Sequence, residues 1–119
     1  MKRSFTALEK RWLTMLLAPA FPDKAIIEKQ LEMGYVIDMD VRSSWASVGL
    51  GTDCTERFTH DDNVPIIMDA HQDDGTIIGF KIMLHKGYIC ELAIYHIAGY
   101  AIPDYEKILL NNVTYDILI

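Results

Sequence analysis

The chain is expected to be α+β, with two N-terminal helices packed on one face of a mainly antiparallel sheet. Three observations carry this expectation. Apolar residues in the first third recur at helical spacing. From residue 64 to residue 97 they alternate at strand spacing, and two glycine-ended loops fold that run back on itself. Two short amphipathic helices cannot bury their stripes against each other alone, so the sheet must supply the missing apolar surface.

The first helix is expected over residues 7–18. Thr6 followed by Glu9 makes a capping box, in which hydroxyl and carboxylate each accept a backbone N–H that the helix leaves unpaired. Phe5, ahead of the cap, can rest on the stem of Lys10. Leu8, Trp12, Met15 and Leu16 share one stripe with Leu13 at its margin, and Pro19 and Pro22 end the helix. Asp23 is placed to cap a second helix over residues 24–33. Its stripe is Ile27 and Leu31 with Ile26 alongside, and Gly34 terminates it.

A first strand over residues 35–41 alternates Tyr35, Ile37, Met39 and Val41 against Val36, Asp38 and Asp40. Arg42-Ser43-Ser44 marks a turn. A shorter strand over residues 45–50 follows, weakened by Gly49 and Gly51. Residues 52–63 are polar and irregular, and Pro65 suits the beginning or edge of the next strand.

Residues 64–97 carry the clearest pattern. Asp73-Asp74-Gly75 and His85-Lys86-Gly87 each suit a three-residue loop whose last residue is a left-handed glycine. The first loop pairs Ala70 with Ile78, Met68 with Phe80, and Ile66 with Ile82. The second pairs Ile82 with Cys90, Phe80 with Leu92, Ile78 with Ile94, and Lys81 with Glu91. A two-residue loop at Lys86-Gly87 would set Glu91 beside Ile82, an expensive slip where one face is buried. The core face then carries Met68, Phe80, Ile82, Cys90, Leu92 and Ile94. The other face carries Ile67, Asp69, His71, Ile77, Lys81, Met83, Glu91 and Tyr95, more apolar than solvation alone needs. Either the C-terminal segment covers it or a partner does. Beyond Ile97, Gly99 and Pro103 interrupt the pattern. A helical turn is expected near residues 104–109 and a last strand over 113–119. The sheet's free edge is the strand at 35–41 or that at 113–119.

A chain of 119 residues, half of them apolar, is sized for one domain, residues 1–119. Its apolar runs fall far short of the ~20 residues that cross a bilayer, and the N-terminus lacks the apolar core of a secretory signal. Cys54 and Cys90 read as thiols of a reducing compartment, which makes the cytoplasm the expected location. The formal charge of -6 disfavours direct nucleic-acid binding. It serves solubility, or steering toward a basic partner.

The densest polar cluster is residues 53–63, with Asp53, Glu56, His60, Asp61 and Asp62. It contains no HExxH, paired CxxC or calcium-loop spacing. No catalytic residue, metal site or cofactor is therefore assigned, and the segment reads as a solvated loop with acids available to a partner. Asp69 and His71 share a strand face, where with Lys81 and Glu91 they form a small polar site or a salt-bridged surface. Cys54 and His60 share a loop, but spacing alone shows neither a lowered thiol pKa nor an oriented base. Trp45, Tyr35, Tyr88 and Tyr95 read as packing residues.

Two stretches, LTMLLAPAFPDKAIIEKQLE at 13–32 and IIMDAHQDDGTIIGFKIMLHKGYICELAIYHIAGYAIP at 66–103, resemble a small family of largely uncharacterised single-domain bacterial proteins. Its members look like a leading helix ending in an FPG-type corner, a second helix with a QL pair, and a DGxxxxxxLH–G–ELEIY hairpin. Here the corner is Phe21-Pro22-Asp23 and the last motif is Glu91-Leu92-Ala93-Ile94-Tyr95, with Ala93 in place of the usual acid. The motifs describe packing and turns, and bring no catalytic residues with them. In size and acidity the chain is similar to immunity proteins of contact-dependent growth inhibition. That resemblance implies a non-enzymatic antitoxin, binding and neutralising a cognate basic toxin domain such as a nuclease, with no membrane partner. The expected interface charges are Asp53, Glu56, Asp61 and Asp62. Asp69, Glu91 and Tyr95 form the alternative surface. A small-ligand or regulatory module and an unrecognised hydrolase are the competing expectations.

Overall fold

The computed structural model describes residues 2–118. Helices α1 (Ala7–Leu16) and α2 (Lys24–Glu32) precede strands β1 (Gly34–Val41), β2 (Trp45–Thr52), β3 (Ile66–His71), β4 (Ile77–His85), β5 (Tyr88–His96) and β6 (Val113–Ile117). A 3-10 turn, Tyr105–Lys107, stands where the helical turn was expected. The strands make one antiparallel sheet in the order β1-β2-β5-β4-β3-β6. The fold is α+β as expected, with the helices on one face, and both β1 and β6 are edges.

The capping box forms: Thr6 Oγ1 accepts from the Glu9 N–H at 3.1 Å, and the Glu9 carboxylate accepts from the Thr6 N–H at 2.9 Å. Glu9 is buried and also accepts from both terminal guanidinium nitrogens of Arg3 at 2.8 Å. Arg3 in turn exchanges backbone hydrogen bonds with Val36 on the outer edge of β1. One carboxylate thus caps α1 and ties the N-terminal segment to the sheet. The guanidinium beside it holds the Glu9 carboxyl below the ordinary glutamate range. Asp23 does not cap α2. Its backbone is left-handed, φ 60°, and its side chain makes no cap bond.

Trp12, Leu13 and Leu16 of α1 and Ile27 of α2 meet Val36, Val48, Met68, Phe80, Ile82, Leu92 and Ile94 in one core. The rings of Trp12 and Phe80 lie 5.7 Å apart at its centre. The first hairpin has the expected register, Ala70 opposite Ile78 and Met68 opposite Phe80, with Gly75 at φ 87°.

The second hairpin corrects the expectation. His85 pairs with Tyr88, so the loop is Lys86-Gly87 alone, with both residues at positive φ as a two-residue type I′ turn requires. The face inversion that such a loop imposes is undone by a bulge. Leu84 pairs with Ile89 and Met83 with Glu91, leaving Cys90 as the extra residue. Ile82 then faces Leu92 and Phe80 faces Ile94, while Lys81 pairs with Ala93 rather than Glu91. The assignment of Ile78, Phe80 and Ile82 to the core face holds. Cys90 leaves the core for the opposite side of the sheet, where it is half-buried.

The C-terminal segment does not cover that opposite side. Ile102 and Leu110 join the helix-side core, and β6 then extends the sheet beside β3. The expected strand end at Ile119 lies outside the described residues. The polar segment 52–63 is less solvated than expected: Phe58 is fully buried against Phe21, and Cys54 is buried. Gln30 is wholly buried as well. Its amide donates to the carbonyls of Glu56 and Gly87 at 2.8 and 2.9 Å and accepts from the Ile89 N–H at 2.9 Å. One side chain so joins α2, the 52–63 segment and the second hairpin.

Candidate functional site: an acidic hollow on the uncovered sheet face

Strand order decides which side chains meet on the face opposite the helices. Asp40, Ser47, Ala93, Lys81, Ile67 and Asp116 form one row across the sheet. Asp38, Gly49, Glu91 and Met83 form the row on one side of it, and Trp45, Tyr95, Gly79, Asp69 and Thr114 the row on the other. The middle of this arrangement holds small residues, Ser47, Gly49 and Ala93, between larger ones. The result is an open-sided hollow of about 780 Å³, walled by Ile37, Asp38, Asp40, Trp45, Lys81, Met83, Glu91 and Tyr95.

Two glycines shape it. A bulge between Val36 and Asp38 brings both Ile37 and Asp38 over Gly49. A Cβ there would lie 2.0 Å from Asp38 Oδ1 and 3.1 Å from Ile37 Cγ1. At Gly79 a Cβ would lie 2.5 Å from Tyr95 Cζ. The Tyr95 ring therefore leans across β4, away from the Ser47–Ala93 floor.

The charge on this face is lopsided. Asp38, Asp40 and Glu91 line the hollow, and Asp69 and Asp116 share the face beyond Tyr95. Against them stands Lys81, whose Nζ is 5.5 Å from the centre of the Tyr95 ring. Asp40 pairs with Arg42 at the rim, Nε to Oδ1 2.8 Å, and that guanidinium lies 5.9 Å from the centre of the Trp45 ring. No ion pair engages Asp38 or Glu91 among the described residues. Burial raises the Asp69 carboxyl above the ordinary aspartate range, and Asp116 adds to the effect. Asp69 Oδ1 is buried without a hydrogen-bond partner. Burial, then Asp69 and Asp116, push the Tyr95 hydroxyl up. His71 Nε2 is 2.8 Å from Thr114 Oγ1 on the same face.

The seven nominated residues fall into two groups. In the 52–63 segment, Glu56 forms an ion pair with Lys29 and Asp53 lies 3.9 Å from Lys2. Asp61 and Asp62 are exposed, beside Arg57 and Lys86 in a shallow depression. Asp53 and Glu56 thus have a cation beside them, whereas Asp61 and Asp62 make no ion pair among the described residues. Asp69, Glu91 and Tyr95 share the sheet face, although Glu91 lies one row away from Lys81. Sequence reasoning missed Asp38, Asp40 and Trp45 as members of this site. The alternation of Asp38 and Asp40 was visible, but their neighbours across β2 and β5 depend on strand order.

Cys90 is the cysteine that lines the hollow. Burial raises the Cys90 thiol, the opposite of what a thiolate nucleophile needs, and its Sγ donates to the Met83 carbonyl at 3.4 Å. Among the described residues no group of three or more His, Cys, Asp or Glu side chains gathers as a metal site would need, and no helix is long and apolar enough to cross a membrane. Comparison of the chain with protein-family models, curated proteins and solved structures gave no match.

Proposed function

We propose that this chain is a non-enzymatic immunity protein of the bacterial cytoplasm, which binds and neutralises a cognate basic toxin domain, a nuclease. The observation that carries this reading is the uncovered sheet face. Asp38, Asp40, Asp69, Glu91 and Asp116 stand there around exposed Trp45 and half-buried Tyr95, outnumbering Lys81 and the Arg42 that pairs with Asp40 at the rim. Carboxylates repel phosphates, so the face suits a basic protein rather than nucleic acid. A nuclease presents cations where its substrate's phosphates lie. An acidic concave surface speeds encounter with such a region, and aromatic side chains give it contact area once docked. Neutralisation then follows by occlusion, without chemistry. The resemblance to immunity proteins of contact-dependent growth inhibition supports the same assignment. Co-expression with the product of the adjacent gene tests it. Growth protection together with a co-purifying complex is the expected result. A neighbour that is not toxic, or a toxic one whose effect persists without complex formation, would overturn the proposal.

A further inference from the structure

We infer that the hollow on the uncovered sheet face receives an arginine side chain projecting from a basic protein, seated over Ser47 and Ala93 between Trp45 and the carboxylates of Asp38 and Glu91. This deepens the proposed function and takes the partner's biological identity from it. The chemistry of the seat stands on the geometry alone.

Three features point to a guanidinium. The floor is low because Ser47 and Ala93 are small and because Gly79 lets the Tyr95 ring lean away from it. Asp38 is drawn in over Gly49 by the bulge in β1, and neither it nor Glu91 has an ion-pair partner among the described residues. The rim already holds a group of this kind. Arg42 lies against the Trp45 ring and bonds Asp40 at 2.8 and 3.3 Å. A guanidinium matches such a site because it is planar, weakly hydrated and stacks on aromatic faces while its N–H groups reach carboxylates. Ammonium offers the charge without the plane. A second copy of this chain is a poor occupant, since it would bring one acidic face against another.

Trp12 is buried in the core and Trp45 lines the hollow, so a change in tryptophan emission on binding reports Trp45. The probe is a short glycine-serine peptide with three spaced arginines. Matched peptides carry lysine or the neutral isostere citrulline. The arginine peptide is expected to give a saturable emission change, with the lysine and citrulline peptides weaker, citrulline by at least about tenfold. Asp38→Asn/Glu91→Gln, an isosteric change at sites outside the core, is expected to weaken arginine binding by about tenfold. Asp61→Asn/Asp62→Asn, in the 52–63 segment, should leave it within about twofold. Circular dichroism checks that both variants fold. No saturable change, equal binding of the lysine peptide, or equal loss in the loop variant would overturn the inference. The growth-protection assay separates the two claims. Peptide binding as predicted with no protection removes the toxin reading alone. Protection by the wild type with no saturable binding of the arginine peptide removes the arginine seat alone.

Discussion

Strands β3, β4 and β5 carry Met68, Phe80, Ile82, Leu92 and Ile94 toward the helices, all buried, and Asp69, Lys81, Glu91 and Tyr95 toward the other side, where no element lies over them. The contrast separates what a sheet needs in order to fold from what it carries besides. The covered face is filled with large apolar side chains that interdigitate with α1 and α2. The uncovered face has the opposite build. Glycines stand mid-strand at 49 and 79, where they weaken a strand, and each lies beneath a side chain of a neighbouring strand. Solvation alone requires neither these glycines nor an aromatic pair beside unpaired carboxylates.

The largest expected effect lies on the covered face. Phe80→Ala should cost about 3–5 kcal/mol in denaturant unfolding, because the side chain is fully buried against Trp12. Lys81→Ala, one residue on and facing the other way, should cost no more than about 1 kcal/mol. Comparable losses at both positions would break the division between faces.

Gln30→Ala should follow, at about 2–4 kcal/mol, since it strands the Ile89 N–H and two carbonyls that the amide now satisfies. Amide hydrogen exchange offers a local readout. Protection at Ile89 should fall more than protection at Ile94. A uniform change across β5 would remove Gln30's role as the link between α2 and the hairpin.

A smaller effect of opposite sign is expected on the uncovered face. The Asp69 carboxyl is raised in the folded state, so the folded chain holds its proton to higher pH than the unfolded chain. Stability therefore falls as pH rises from the ordinary aspartate range through the raised value, and the cost is full above it. Asp69→Asn should raise stability near pH 7, with the gain fading near pH 3. Thermal melts at both pH values would check this. A destabilising substitution at neutral pH would contradict the assigned electrostatics.

Local signals made much of the fold legible. Thr6 and Glu9 announced the first helix, and the side-chain period of two fixed the buried face through both hairpins. It did so even where the second register was wrong. A two-residue loop and the bulge at Cys90 cancel in parity, so the alternation of Ile78, Phe80 and Ile82 cannot distinguish them from a three-residue loop. Lys86 in a left-handed conformation has no sequence signature comparable to glycine's. Phe58 and Gln30 were hidden for a different reason. Each is buried by segments distant in sequence, and neither belongs to an apolar period. The candidate site was half visible. Asp69, Glu91 and Tyr95 follow from alternation along β3 and β5, whereas Asp38, Asp40 and Trp45 join them only because β1 and β2 lie next to β5 in the sheet.

Under the proposed function, the face that does not hold the fold together is the face that docks the partner. Association kinetics with the proposed toxin domain probe this, using wild type, Asp38→Asn/Glu91→Gln and Asp61→Lys at low and high salt. The sheet-face variant should unfold within about 0.5 kcal/mol of wild type, yet associate more slowly at low salt, with the difference shrinking as ions screen the field. Asp61→Lys should associate within about twofold of wild type, because its carboxylate lies in the 52–63 segment rather than on the sheet face proposed to dock. A wild-type rate for the sheet-face variant, together with slowed association for Asp61→Lys, would rule out docking through the sheet face and move the interface to that segment.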